Sequence, residues 1–174
     1  PRFLERCRPM MDGMVFVLCT RREIDRIYRD LPVTSPFDNR MPIQRVGLLE
    51  DAESLVQRGR PVLTEPDLQD MRRLCGAHPF FLSLYGGFLW EARTHGRDSR
   101  QAFDHFLDNA ARHLRGLWWH LAEREQDLVR AAARGQAQTS RPLVRLLVRR
   151  GVLAENGLPF GEVLVEWLEE EGLL

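Results

Sequence analysis

The sequence contains no lysine: all 25 of its basic residues are arginine. That excludes a P-loop lysine, a Schiff-base lysine and a lysine general base. Cysteine is scarce. Cys7, Cys19 and Cys75 are widely spaced and form no C-x-x-C pair, so the pattern indicates neither a disulfide framework nor a zinc site, and it fits a reducing cytoplasm. Net charge is also missing, since 25 acids balance the 25 bases and any electrostatic steering must be local. No window approaches the ~18 uncharged apolar residues of a membrane span, and the first residues lack the long apolar stretch of a signal peptide. The chain lacks an initiator Met and opens inside what reads as a helix, so a piece of something longer is expected.

What is present is the composition of a folded protein, with 44% hydrophobic residues over 174 positions, enough for one good core or two small ones. Met14 to Cys19 is a continuous apolar run rich in β-formers and reads as a strand buried on both faces. A short helix is expected from Glu23 to about Asp30, then irregular chain through the prolines of LPVTSPFDNRMP. Ile43 to Leu48 could form a second strand and Leu49 to Gln57 a helix. Thr64-Glu65-Pro66-Asp67 is a helix start, with Thr64 as cap, Pro66 in the first turn and acids at the positive end of the dipole. That helix should stop at Gly76. The next, from Pro79 to Gly96, is apolar nearly all round and should be the centre of a bundle, with Gly86-Gly87 permitting close helix approach.

Ser99 is the expected cap of a long amphipathic helix carrying Phe103, Phe106, Ala110, Leu114 and Trp118 at steps of three and four. His105, His113 and His120 lie along it two turns apart, too far to share a metal ion, so they read as surface or boundary residues. Glu123 to Ala133 is another helix. Ser140 should cap a further one with Pro142 in its first turn, and Gly151 should end it. Val152 to Ala154 and Leu158 to Phe160 flank Asn156-Gly157, a strong hairpin signal, before a last helix with Val163, Leu164, Trp167 and Leu168. Helix, loop, helix, hairpin, helix is the order of a winged helix. The expected fold class is mainly α with a little β (α+β). Residues 1–58 would be the end of an α/β nucleotide-binding core, 64–121 a helical lid bundle and 122–174 a winged-helix domain.

In this order the elements resemble the C-terminal part of a prokaryotic STAND-type ATPase, a signalling branch of the AAA+ P-loop NTPases, over nearly the whole chain. Val15 to Arg22 resembles the family's late core strand ending in a T-R sensor. Thr34-Ser35-Pro36-Phe37-Asp38-Asn39 resembles its T-S-P-x-x-N loop, and Gly76-Ala77-His78-Pro79-Phe80-Phe81-Leu82 is similar to G-G-H-P-[YF]-[FL]-L. The resemblance implies that Arg21 senses the terminal phosphate, with Arg22 as its stand-in, and that Gly76, His78 and Pro79 line the base side of ATP or ADP. Read without it, Gly76 to Pro79 is a plain helix-helix turn and the two arginines are solvated charges after a strand.

Two departures matter. Ala77 replaces the second glycine, and neither the G-x-x-x-x-G-K-[ST] loop nor the acidic magnesium-binding strand is present. The chain is therefore expected not to hydrolyse ATP and to bind ATP or ADP weakly or not at all alone. The nucleotide belongs to a complete protein whose P-loop core or other domains would be its partners. Self-association stays open. The competing function is a winged-helix DNA-binding transcriptional regulator, suggested by Arg141, Arg145, Arg149 and Arg150; nucleic acid is not the favoured partner because Glu162, Glu166 and Glu169 to Glu171 follow close by. No membrane is expected as a partner. A free-standing enzyme is disfavoured, because Asp104, His105 and Asp108 complete no known catalytic motif.

Overall fold

The computed structural model of the protein describes residues 46–136 and 140–174. These residues fall within one compact unit and are mainly helical. The expected strand at 14–19, the helix after it, the T-S-P-x-x-N loop and most of the second strand lie outside them. Residues 46–48, the last of that second strand, are irregular. Helix α1 (Ala52–Gln57) starts later than its apolar pattern suggests, because Asp51 caps it by accepting from the Ser54 amide at 3.0 Å. Helix α2 (Glu65–Cys75) begins as the sequence dictates. Thr64 and Asp67 form a reciprocal capping box, Pro66 sits in the first turn, and Gly76 terminates the helix.

Asp67 also does something its position in a cap does not announce. Its buried carboxylate takes two hydrogen bonds from the Arg93 guanidinium, at 2.9 and 2.7 Å, clamping the start of α2 to the end of α3 (Pro79–Thr94). Burial alone would push the Asp67 carboxyl up, but the bonds from Arg93 and Thr64 outweigh it and hold it below the usual carboxylate value.

Helix α3 buries Phe81, Leu82, Tyr85, Leu89 and Ala92, and its most extensive neighbour is α4 (Ser99–Trp119). Phe80 and Trp90 remain exposed, so the helix is less enclosed than its composition suggests. The two glycines within it differ. Gly86 faces the Met71 side chain, where an added β-carbon would lie 2.9 Å from the terminal methyl, whereas Gly87 opens onto empty space. Close approach therefore accounts for one glycine of the pair. Helix α4 is capped by Asp98 and not by Ser99: the Asp98 carboxylate accepts from the Arg100 amide at 3.0 Å, which leaves Ser99 as the first helical residue. The carboxylate is the stronger acceptor of the two adjacent candidates.

Helices α5 (Glu123–Ala133), α6 (Arg141–Arg149) and α7 (Glu162–Glu170) follow. Between α6 and α7 the expected hairpin contracts to a single antiparallel bridge, Leu153 to Pro159, so no winged-helix sheet is formed among the described residues. Two local causes are visible. Pro159 has no N–H with which to extend a ladder. Asn156 is not in a left-handed conformation while Gly157 is, with φ 81°, so the loop is not the two-residue type I′ turn that Asn-Gly favours.

Of the α/β core portion expected over 1–58, residues 1–45 lie outside those described, and 46–58 form irregular chain, turns and helix α1 rather than a strand. The residues before and after Ala122 share one continuous core that runs from Val56 through Phe81, Phe106 and Leu114 to Leu164 and Leu168. Trp118 of α4 packs edge-to-face on Trp167 of α7 at 6.2 Å, and the Arg130 guanidinium of α5 sits 5.1 Å from the Trp118 ring centre.

Candidate functional site

The turn from Gly76 to Pro79, joining α2 and α3, brings together three of the five residues singled out by sequence. Arg21 and Arg22, the other two, lie outside the described residues. Gly76 adopts φ 53°, ψ −128°, a conformation essentially reserved for glycine. It does so against backbone: an added β-carbon would overlap the Phe160 carbonyl oxygen and lie 2.8 Å from the Phe160 carbonyl carbon. The opposing residue is also a glycine. A β-carbon at Gly161 would overlap the Leu74 carbonyl oxygen and lie 2.9 Å from the Cys75 carbonyl carbon. The end of α2 and the entry to α7 thus meet backbone to backbone, with no side chain between them.

His78 is the N-cap residue of α3 and makes no side-chain capping bond, so the first-turn amides keep no intrahelical acceptor. Its ring lies instead among aromatics, 4.6 Å from the Phe81 ring and 4.8 Å from the Phe160 ring, while Phe81 and Phe160 stack on each other at 5.2 Å and 10°. Nδ1 of His78 is buried without a hydrogen-bond partner. Burial lowers the imidazole pKa from 6.5 to about 4. The neutral ring is thus favoured in the folded state, and its contribution to stability is complete above pH 6.5 and lost as pH falls toward 4. Equilibrium urea unfolding should therefore give a stability lower by about 2 kcal/mol at pH 5 than at pH 7 through this group, and His78→Phe should remove that share of the slope. An identical pH dependence in the variant would exclude the histidine as its source.

The turn is braced from a second side. The Leu49 amide donates to the Ala77 carbonyl at 2.9 Å, and two residues earlier Gly47 rests on the end of α6, where an added β-carbon would stand 3.3 Å from the Val148 and Arg149 carbonyls. The segment entering α1 therefore touches both the turn and the corner after α6.

Charge around the turn is already matched. Arg72 pairs with Glu53 at 2.7 Å and Glu65 at 3.3 Å, and Arg73 pairs with Asp70 at 3.1 Å and with Glu162 of α7. Burial would lower the Arg73 pKa, but its bonds to Glu162 and Asp70 raise it. Cys75, just before the turn, is fully buried, and desolvation pushes its thiol pKa up, so it is an inert core residue.

Sequence reasoning missed Phe160 and Gly161, which complete the site. Phe160 reads from sequence as part of the hairpin, and Gly161 falls in no element of that reading. Only the glycine immediately before an apolar helix hinted at a close backbone approach.

His105 and His113 of α4 and His120, its C-cap, are exposed. The rings of His105 and His113 lie 6.0 Å from Phe88 and 3.9 Å from Phe80, and His120 meets the Gly116 carbonyl. Among the described residues no group of three or more His, Cys, Asp or Glu side chains converges as metal ligands, and no helix is long and apolar enough to cross a membrane. No family model, curated protein or solved structure matches the chain.

Proposed function

We propose that the chain is the nucleotide-sensing lid and winged-helix portion of a signalling STAND-type ATPase, not hydrolytic on its own and working with a P-loop core that this sequence does not contain. The observation that carries the reading is the backbone contact between Gly76 and the Phe160–Gly161 corner. A turn held this way cannot shift without carrying the start of α7, so a ligand seated on the turn has a mechanical route to the C-terminal helices. In this reading Pro79 and His78 line the base side. Arg72 and Arg73 are already paired with acids, so phosphate sensing falls to Arg21, with Arg22 as its stand-in. In this reading α5, α6 and α7 take the place of the winged helix, without its sheet. Without lysine or an acidic magnesium-binding strand, hydrolysis belongs to the complete protein.

The test is thermal unfolding with ADP, ATP or inorganic pyrophosphate at about 10 mM. A site of about 1 mM affinity would stabilise the fold by roughly 1.4 kcal/mol, a rise of about 3–5 °C, and the rise should be lost in Pro79→Ala. An equal rise with pyrophosphate, which would leave the adenine unrecognised, would overturn the reading, and no rise with either nucleotide would deny this chain a site of its own.

A further inference from the structure

Although the chain is neutral overall, its C-terminal part is divided by charge. Between Asp127 and Glu155 there is no acid, while Arg130, Arg134, Arg141, Arg145, Arg149 and Arg150 all fall in that interval. Apart from Arg134, the exposed C-cap of α5, the structure sorts these arginines into two groups. Arg130 is occupied by the Asp127 carboxylate at 2.6 Å and the Leu173 carbonyl at 3.0 Å, and Arg150 by Glu125 at 2.8 Å. Arg141, Arg145 and Arg149 of α6 are exposed and make no ion pair among the described residues. Steps of four place them along one face of the helix, about 6 Å apart in rise. The opposite side is held by buried Leu147, with Leu143, Val144 and Val148 packed partly against the core. No acid lies in the first turn of α6, and Ser140 makes no side-chain cap there, so the positive end of the helix is not neutralised.

Two of the acids that follow in sequence are engaged away from α6. Helix α7 packs on α2 and α4, with Glu162 bound to Arg73 and Glu171 to Arg115, whereas α6 packs on α5. Three exposed guanidinium groups in a row on one face of a helix, unpaired among the described residues, are complementary to a regular polyanion. An α-helix fits the major groove of B-form DNA but not the deep, narrow major groove of an A-form duplex. The apolar residues of α6 are already engaged in the core, which leaves little hydrophobic surface to insert into a lipid headgroup layer. We infer that the Arg141, Arg145 and Arg149 face of α6 is a docking surface for duplex DNA, held mainly through backbone phosphates. This inference does not depend on nucleotide recognition at the Gly76 turn, and the two fail separately.

Fluorescence anisotropy with the full chain and a labelled mixed-sequence 20-base-pair DNA duplex tests it. Three phosphate contacts predict a slope of log K against log salt of about −2.7, equivalent to an affinity loss of about 40-fold between 50 and 200 mM salt. Each single Arg→Gln substitution should reduce the slope by about 1. The triple variant Arg141→Glu, Arg145→Glu, Arg149→Glu should bind at least 10-fold more weakly while keeping the wild-type circular dichroism spectrum and melting temperature, because these exposed side chains make no ion pair among the described residues. Wild-type affinity in the triple variant would overturn the inference, as would a binding constant insensitive to salt. So would retention on phosphatidylserine vesicles that duplex DNA fails to compete away, or tighter binding to an RNA duplex of the same sequence.

Discussion

Gly76→Ala is expected to lower the melting temperature by about 10 °C or more, while Gly87→Ala, two turns into the next helix, should raise it slightly. The contrast isolates backbone approach from helix propensity. At Gly76 the backbone angles lie where a β-carbon is strained, at about 1–3 kcal/mol, and the added atom would have to displace the Phe160 carbonyl. That carbonyl is part of the chain running from the Leu153–Pro159 bridge into α7, so it cannot rotate aside as a side chain could. Overpacking against fixed atoms adds about 1–3 kcal/mol, for a total of roughly 2–6 kcal/mol. At Gly87 nothing lies within 4 Å of the added carbon, and replacing a helical glycine by alanine stabilises by up to ~1 kcal/mol. Differential scanning calorimetry of both variants decides the matter. Equal, small changes in the two would mean that the α2 end and the α7 entry do not interlock, and the mechanical link proposed between the turn and the C-terminal helices would fall with that contact.

What could be read from sequence was whatever neighbouring residues settle among themselves. Thr64, Pro66 and Gly76 bound α2 because capping, proline placement and left-handed glycine are local chemistry. The apolar steps of α4 and α7 return as buried faces. The misreadings fall where a local rule has two solutions or a distant partner intervenes. Asp98 and Ser99 were both competent caps, and the carboxylate took the role. Asn156-Gly157 did make a turn, but Pro159, two residues on, removed the donor that a strand pair needs. The Asp67–Arg93 clamp spans 26 residues of sequence and Arg73–Glu162 spans 89, so no window could contain either. The candidate site was half legible for the same reason: Gly76 to Pro79 are contiguous and stood out, whereas Phe160 and Gly161 reach the turn only through the packing of α7 on α2.

Glu125→Ala should destabilise the fold by about 3–5 kcal/mol, the cost expected when one partner of a buried ion pair is removed. The side chains of Glu125 and Arg150 are only 4% and 16% exposed and meet at 2.8 Å. The Glu125 carboxylate has a second task, accepting the Ala122 amide at 2.6 Å with its other oxygen and so capping the start of α5. Alanine removes both interactions at once and takes the Glu125 carboxylate from a largely buried guanidinium. Glu125→Gln separates the two roles, since the amide oxygen can still cap while the charge is gone; it should cost less than the alanine variant but more than the ~1 kcal/mol of a cap alone. The pair also decides how the basic stretch is divided. Because Glu125 holds Arg150 at the end of α6, that arginine braces α5 against the α6 corner, and the outward face is left to Arg141, Arg145 and Arg149. Chemical denaturation of the two variants, scored alongside Arg150→Met, completes the argument. If Arg150→Met is as stable as wild type while Glu125→Ala is not, the penalty comes from the lost cap and the weakened compensation of the guanidinium charge. If all three match wild type, the pair contributes nothing and α5 is held by its buried Leu128, Val129 and Ala132.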